Sequence, residues 1–117
     1  MVMERARELG RMLGQSDEYR ALLRANDRLK EDAEANRLLG ELKSLEERLQ
    51  QLVRDGGDPT AADREAHERL LGTIESLPGY QGFVAAQANF DKMMAKINAQ
   101  ILDGMKQGAS SPIITLG

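Results

Sequence analysis

The chain has 117 residues, 30% of them charged, with a formal net charge of −3 and neither cysteine nor tryptophan. These totals exclude disulfides, thiolate nucleophiles and all-thiolate zinc or iron–sulfur sites, and the acidic balance removes any general electrostatic drive toward nucleic acid or an anionic membrane. Aromatics make up only 3%, so Leu, Ala, Met and Ile must build the core, which suits interlocking helices better than a sheet.

The N-terminus is charged from Glu4 onward and lacks the apolar stretch of a signal peptide. No uninterrupted apolar segment approaches the roughly 18 residues needed to span a bilayer, so the expected location is the cytoplasm. From Glu4 to Gly14, Ala6, Leu9, Met12 and Leu13 recur every three or four residues and define one helix face. Ser16, followed by Asp17 and Glu18, supplies an N-cap and first-turn acids for a second helix, whose face is Tyr19, Leu22, Leu23, Asn26 and Leu29. Asp32 is a further start signal, read either as a true break or as a kink. The third helix then runs to about Arg54.

That third segment is the most regular in the chain. Leu38, Leu42, Leu45, Leu49 and Leu52 follow one another at alternating spacings of four and three, the narrow seam of a coiled coil. Asp55-Gly56-Gly57-Asp58-Pro59 breaks the chain, and Thr60 with Asp63 resembles a capping box that opens a fourth helix through Ala62, Ala66, Leu70, Leu71, Ile74 and Leu77. Pro78-Gly79 interrupts it. A last helix carries Phe83, Gln87, Phe90, Met94, Ile97 and Ile101 and is expected to fade around Gly104 to Gly108, leaving residues 109–117 as a flexible tail. The short glycine loop implies that helices three and four fold back as an antiparallel hairpin. Gly40 and Gly72 lie at similar distances from that loop; either they face each other at a close backbone approach, or each is a tolerated helix glycine costing about 1 kcal/mol.

Taken together, the chain resembles the YlbF/YmcA family of small bacterial regulators, to which YheA-like proteins also belong. The early match is Ala6 through Leu9-Gly10, then Ser16-Asp17-Glu18-Tyr19-Arg20, Ala25, and Asp32 before Leu38-Leu39. The later and more specific match is Tyr80, Phe83, Ala86-Gln87, Phe90, and Ile97-Asn98 followed by Ile101. The resemblance implies an all-helical, hairpin-based, usually dimeric fold and a cytosolic regulatory role. Members of that family act in complexes that influence competence, sporulation, biofilm formation and RNA processing through the endoribonuclease RNase Y. Some family complexes hold iron–sulfur clusters through cysteines, a property that cannot be carried over to a cysteine-free chain. The matching positions are mostly apolar or small and identify a fold more securely than a function.

The side chains that could carry chemistry are few. His67 is the single histidine, and a stable metal site needs about three or four converging protein ligands, so it reads as an ordinary solvated histidine. Glu41, Glu46, Glu47, Asp63, Glu65 and Glu68 are interleaved with Lys43, Arg48, Arg64 and Arg69 at spacings that make ion pairs along exposed helix faces. Ser110-Ser111 has no nearby base. No catalytic, cofactor-binding or metal-binding residue is therefore assigned.

Arg20, Arg24 and Arg28 form an i,i+4 row, with Arg7 and Arg11 on the preceding helix, and are the candidate partner contact; Asp17, Asp27 and Glu31 stand close enough to neutralise part of it. Met93, Met94 and Met105 are either adaptable partner contacts or core filler. Pro112-Ile113-Ile114-Thr115-Leu116 could add as a strand to a partner's sheet, or remain a free tail. The reading is an all-α antiparallel helical hairpin or bundle of four to five helices, a single domain over residues 1–108. It dimerises through Leu38, Leu42, Leu45, Leu49, Leu52, Phe83, Phe90, Met94, Ile97 and Ile101 and serves as a non-enzymatic regulatory or scaffolding subunit. Its expected partners are a second copy and another cytosolic protein such as a ribonuclease complex, with RNA binding through the arginine row as the alternative.

Overall fold

The computed structural model describes residues 1–110, and these form five helices without a strand among them: α1 (Val2–Gly14), α2 (Asp17–Glu31), α3 (Ala33–Arg54), α4 (Ala61–Glu75) and α5 (Pro78–Ser110). The all-α, hairpin-based fold expected from the sequence is the one found. Helices α2, α3 and α4 each start where a polar side chain, Ser16, Asp32 or Thr60, satisfies one of the free N–H groups of the first turn. Ser16 does two jobs, since its Oγ donates to the Leu13 carbonyl at 2.6 Å to close α1 and accepts from the Tyr19 N–H at 3.2 Å to cap α2. Asp32 is a true break rather than a kink: its backbone is extended, with ψ 103°, and its carboxylate accepts the Ala35 N–H at 3.1 Å to open α3.

The loop after α3 follows the glycine logic in full. Gly56 takes φ 87°, in the left-handed region, and donates its N–H to the Val53 carbonyl, while the Gly57 N–H reaches the Leu52 carbonyl at 2.9 Å. That pair of bonds is the Schellman arrangement, which satisfies two of the last carbonyls of a helix. A Cβ on Gly57 would lie 2.7 Å from Leu52 Cδ1, so a side chain there would push the Leu52 methyl aside, whereas Gly56 is favoured by its backbone angle. Thr60 and Asp63 then complete a reciprocal capping box at the start of α4, each side chain 3.1 Å from the other's N–H. The chain folds back as expected, and α3 and α4 pack side by side.

The second pairing, α2 against α5, is the more extensive of the two. It runs antiparallel: the rings of Tyr19 and Phe90 lie 5.7 Å apart near the start of α2, and at its other end Leu29 and Asp32 close on Gly79. The two pairs meet where α2 gives way to α3 and α4 to α5. Both breaks are pinned alike by an amide side chain six residues ahead, Asn36 Nδ2 on the Lys30 carbonyl at 2.7 Å and Gln81 Nε2 on the Glu75 carbonyl at 3.0 Å. Four of the five buried residues, Leu29, Ala35, Leu38 and Ile74, come from the helix ends that converge there, and Ala86 lies two turns into α5.

The arms that leave this junction make the molecule long and thin. Its radius of gyration is 21.6 Å, against about 13 Å for a compact domain of this length. Its smallest dimension is 19 Å, hardly two helix diameters of about 10 Å. A protein two helices thick has no third layer to cover outward faces, so the seam expected to serve as dimer contact and core is only partly covered within the single chain. Leu38 is buried, whereas Leu42, Leu45, Leu49 and Leu52 on α3 and Phe83, Phe90, Met94 and Ile97 on α5 are half-buried, and Ile101 is exposed. Gly40 and Gly72 meet nothing within 4 Å where a Cβ would stand, so there is no close approach between them. Likewise α5 does not fade at Gly104 but runs to Ser110, taking in the first two residues of the expected tail. The Pro112–Leu116 segment lies outside the described residues.

Candidate partner-binding surfaces

Arg20, Arg24 and Arg28 stand on the side of α2 opposite the Leu22, Ala25 and Leu29 face that packs inward, and all three are exposed. Asp17, Asp27 and Glu31 share that outer side, but none of the three arginines makes an ion pair among the described residues. A guanidinium left without a carboxylate keeps its planar fork of N–H donors free for a bidentate acceptor on another molecule. The row is therefore presented but not consumed by the fold.

Across the α3–α4 hairpin the charges are used instead. Arg48 Nη2 lies 3.2 Å from Asp63 Oδ1, and His67 Nε2 lies 3.2 Å from Glu46 Oε1. The carboxyl of Asp63 is held below its ordinary range chiefly by the hydrogen bond from the Thr60 backbone; burial opposes that, while the Thr60 side chain and Arg48 reinforce it. Sequence spacing could find pairs within one helix, of which Arg37 with Glu41 at 2.8 Å is an example, but these two cross-hairpin pairs depend on the register of the turn. His67, expected to be merely solvated, is half-buried and paired. A shallow hollow beside it is lined by Glu46, Leu49, Pro59, Arg64 and Glu68. No group of three or more His, Asp or Glu side chains in metal-binding proximity occurs among the described residues.

The methionines divide in two. Met93 and Met94 are half-buried, and Met93 lines a groove with Asp17, Glu18, Ala21, Lys92 and Lys96 where α2 begins against α5. Met105, about three turns further along α5, is 63% exposed. Three surfaces are thus open to a partner: the arginine row, the outer flank of the hairpin, and the apolar end formed by α1 and the last turns of α5. No helix among the described residues is long and apolar enough to cross a membrane.

Comparison with known proteins agrees with this architecture. A chain of the crystal structure of Bacillus subtilis RicA in complex with RicF superposes with a TM-score of 0.81 at 17% identity, covering 93% of this chain and 96% of that one. A protein of unknown function (DUF964) from Bacillus stearothermophilus superposes at 0.66 with 15% identity, covering 95% and 97%. At these identities the likeness is one of fold. Among curated sequences, UPF0342 proteins of Streptococcus pyogenes and Streptococcus uberis are each 24% identical over 105 residues, which is 90% of this chain and 93% and 94% of theirs. The family model described as "Control of competence regulator ComK, YlbF/YmcA" matches residues 2–106, and the chain belongs to the YlbF/YmcA family.

Proposed function

We propose that this chain is a non-enzymatic regulatory or scaffolding subunit that acts by binding proteins: a second copy of itself and another cytosolic protein within an RNA-processing or developmental regulatory complex. The observation that carries the reading is the shape. A molecule 19 Å thin, with half-buried apolar stripes on its longest helices, presents the long, rigid helix faces on which a few buried anchors supply most of an interface's affinity. Membership of a regulatory family supports it, as does a structural neighbour that was crystallised bound to another protein.

The other cytosolic protein is assigned to the arginine row, because Arg20, Arg24 and Arg28 are exposed and make no ion pair among the described residues. The expected partner surface is acidic. Capture from native lysate with the unmodified chain and with Arg20→Glu/Arg24→Glu/Arg28→Glu tests this. A co-purifying protein that is lost on reversal and weakened by salt is the expected result. The same unpaired guanidiniums would serve phosphates, so RNA binding is the second reading. Recovery of no protein, with salt-sensitive RNA binding by the purified chain that disappears on arginine reversal, would replace the first reading by the second.

A further inference from the structure

The α2–α5 pairing has a register that can be extended. Tyr19 stands against Phe90, and Leu29, ten residues on, against Gly79, so the helices pair nearly residue for residue in opposite directions. Continued backward, that register would set Leu9 opposite about residue 100 of α5 and Val2 opposite about residue 107, since all helices rise about 1.5 Å per residue. The stripe of α5 that α2 covers does continue there: Phe83, Phe90 and Ile97 are followed on the same face by Ile101, Gly104, Met105 and Gly108. Yet α1 is not in that place. It meets α2 at the Gln15–Ser16 break, has no buried residue, and makes no extensive packing with α5. Both halves of an apolar interface are consequently open at least in part at the same end of the molecule, with Val2 75% exposed and Leu9 and Leu13 half-buried on α1, and Ile101 46% and Met105 63% exposed on α5.

We propose that two copies of this chain exchange α1, each α1 lying along residues 97–108 of the other copy's α5. The proposal rests on the homodimer reading above and changes its location from the leucine seam to this end. Three features select a second copy as the occupant. The uncovered face of α5 continues the one α2 packs on, so it takes a helix of similar stripe, and α1 carries that stripe in Val2, Ala6, Leu9 and Leu13. The lengths agree, since α1 has 13 residues and both it and the uncovered part of α5 are about 20 Å long. The exchange is also isologous: each copy offers one helix and one uncovered face, which closes as a two-fold dimer and leaves no unsatisfied end. Four such faces in the pair amount to an interface on the order of 1,000 Å², the lower limit for stable association. The α5 segment carries only Asp103 and Lys106 as charges, so Arg5, Arg7 and Arg11 of an incoming α1 meet no block of like charge.

Because the chain has no cysteine, introduced thiols report the geometry without background. Full-length Leu9→Cys and Ile101→Cys variants carrying different tags are mixed and oxidised, and the Leu9→Cys/Ile101→Cys double variant is oxidised alone. A disulfide between the two single variants, and a covalent dimer from the double variant, are the expected results. Ile101→Asp/Met105→Asp, at positions exposed in the single chain, should weaken dimerisation at least about 100-fold by placing charges in the interface, with helicity unchanged. Closure of the double variant within one chain would overturn the proposal by showing α1 on its own α5. A dimer by light scattering that forms neither disulfide and is indifferent to Ile101→Asp/Met105→Asp would overturn the exchange while leaving the homodimer standing. A monomer of 12.9 kDa would remove both.

Discussion

Truncating Ile74 tests whether the convergence of four helix ends is the structural centre of the molecule. Ile74 is 2% exposed and is the largest side chain that is fully buried. Ile74→Ala removes three carbons worth about 0.8 kcal/mol each. A helix junction held by the Asn36 and Gln81 side chains cannot collapse freely into the void, so a cavity contribution raises the loss to about 3–4 kcal/mol. A domain has about 5–15 kcal/mol of stability in all, and only five of the described residues are buried, so the loss is a large share. With an unfolding entropy of about 2.1 cal/mol/K per residue, a loss of about 3 kcal/mol lowers Tm by roughly 12 °C in a chain of this length. Circular dichroism at 222 nm against temperature and urea measures it, with Leu102→Ala as the control because Leu102 is 56% exposed and should change stability by less than about 0.5 kcal/mol. If Ile74→Ala costs no more than that control, the helix ends do not form the core.

Two further outcomes follow from the hairpin arm. Asp63 has its folded pKa lowered, so its charge contributes stability above its unfolded value of 3.8, and that contribution disappears as pH falls through the folded value. Asp63→Asn should therefore be less stable than the unmodified protein near about pH 6, and the gap in urea midpoints should close by about pH 2; a gap that persists in acid would assign the effect to shape and not charge. Gly72→Ala, at an α4 position with nothing within 4 Å, should stabilise by about 0.4–1 kcal/mol because alanine has less chain entropy to lose; a loss of stability would show that a neighbour does approach that glycine.

The elements were legible in the sequence because their boundaries are written in local chemistry. Ser16, Asp32, the Thr60–Asp63 box and Gly56-Gly57 each act within about one turn, and each is found where the pattern puts it. What the pattern could not supply was the pairing of elements beyond the hairpin. A stripe such as Leu42–Leu49 states that something covers it, not how completely, and in a molecule two helices thick the cover is partial. The cross-hairpin pairs Arg48–Asp63 and His67–Glu46 were illegible for a related reason: their residues are 15 and 21 apart, and only the turn geometry brings them together. The arginine row was readable as a periodicity, but its neighbours Asp17, Asp27 and Glu31 suggested a neutralisation that the fold does not make among its described residues.

Thinness also links stability to association. A chain most of whose few buried residues lie at one junction gains little from its own interior, and two copies that cover each other's α1 and α5 ends add burial that exists only in the pair. Unfolding of such a dimer releases two chains, so a tenfold rise in concentration favours the folded pair by about 1.4 kcal/mol. Spread over the unfolding entropy of two chains of this length, that is a rise in Tm of roughly 3 °C per decade of concentration. Calorimetric scans over two decades should show about twice that rise, and the same scans on Ile101→Asp/Met105→Asp should show a lower Tm that does not move with concentration. A Tm independent of concentration in the unmodified protein would mean that the thin single chain is self-sufficient, and that its open apolar end is reserved for a different protein.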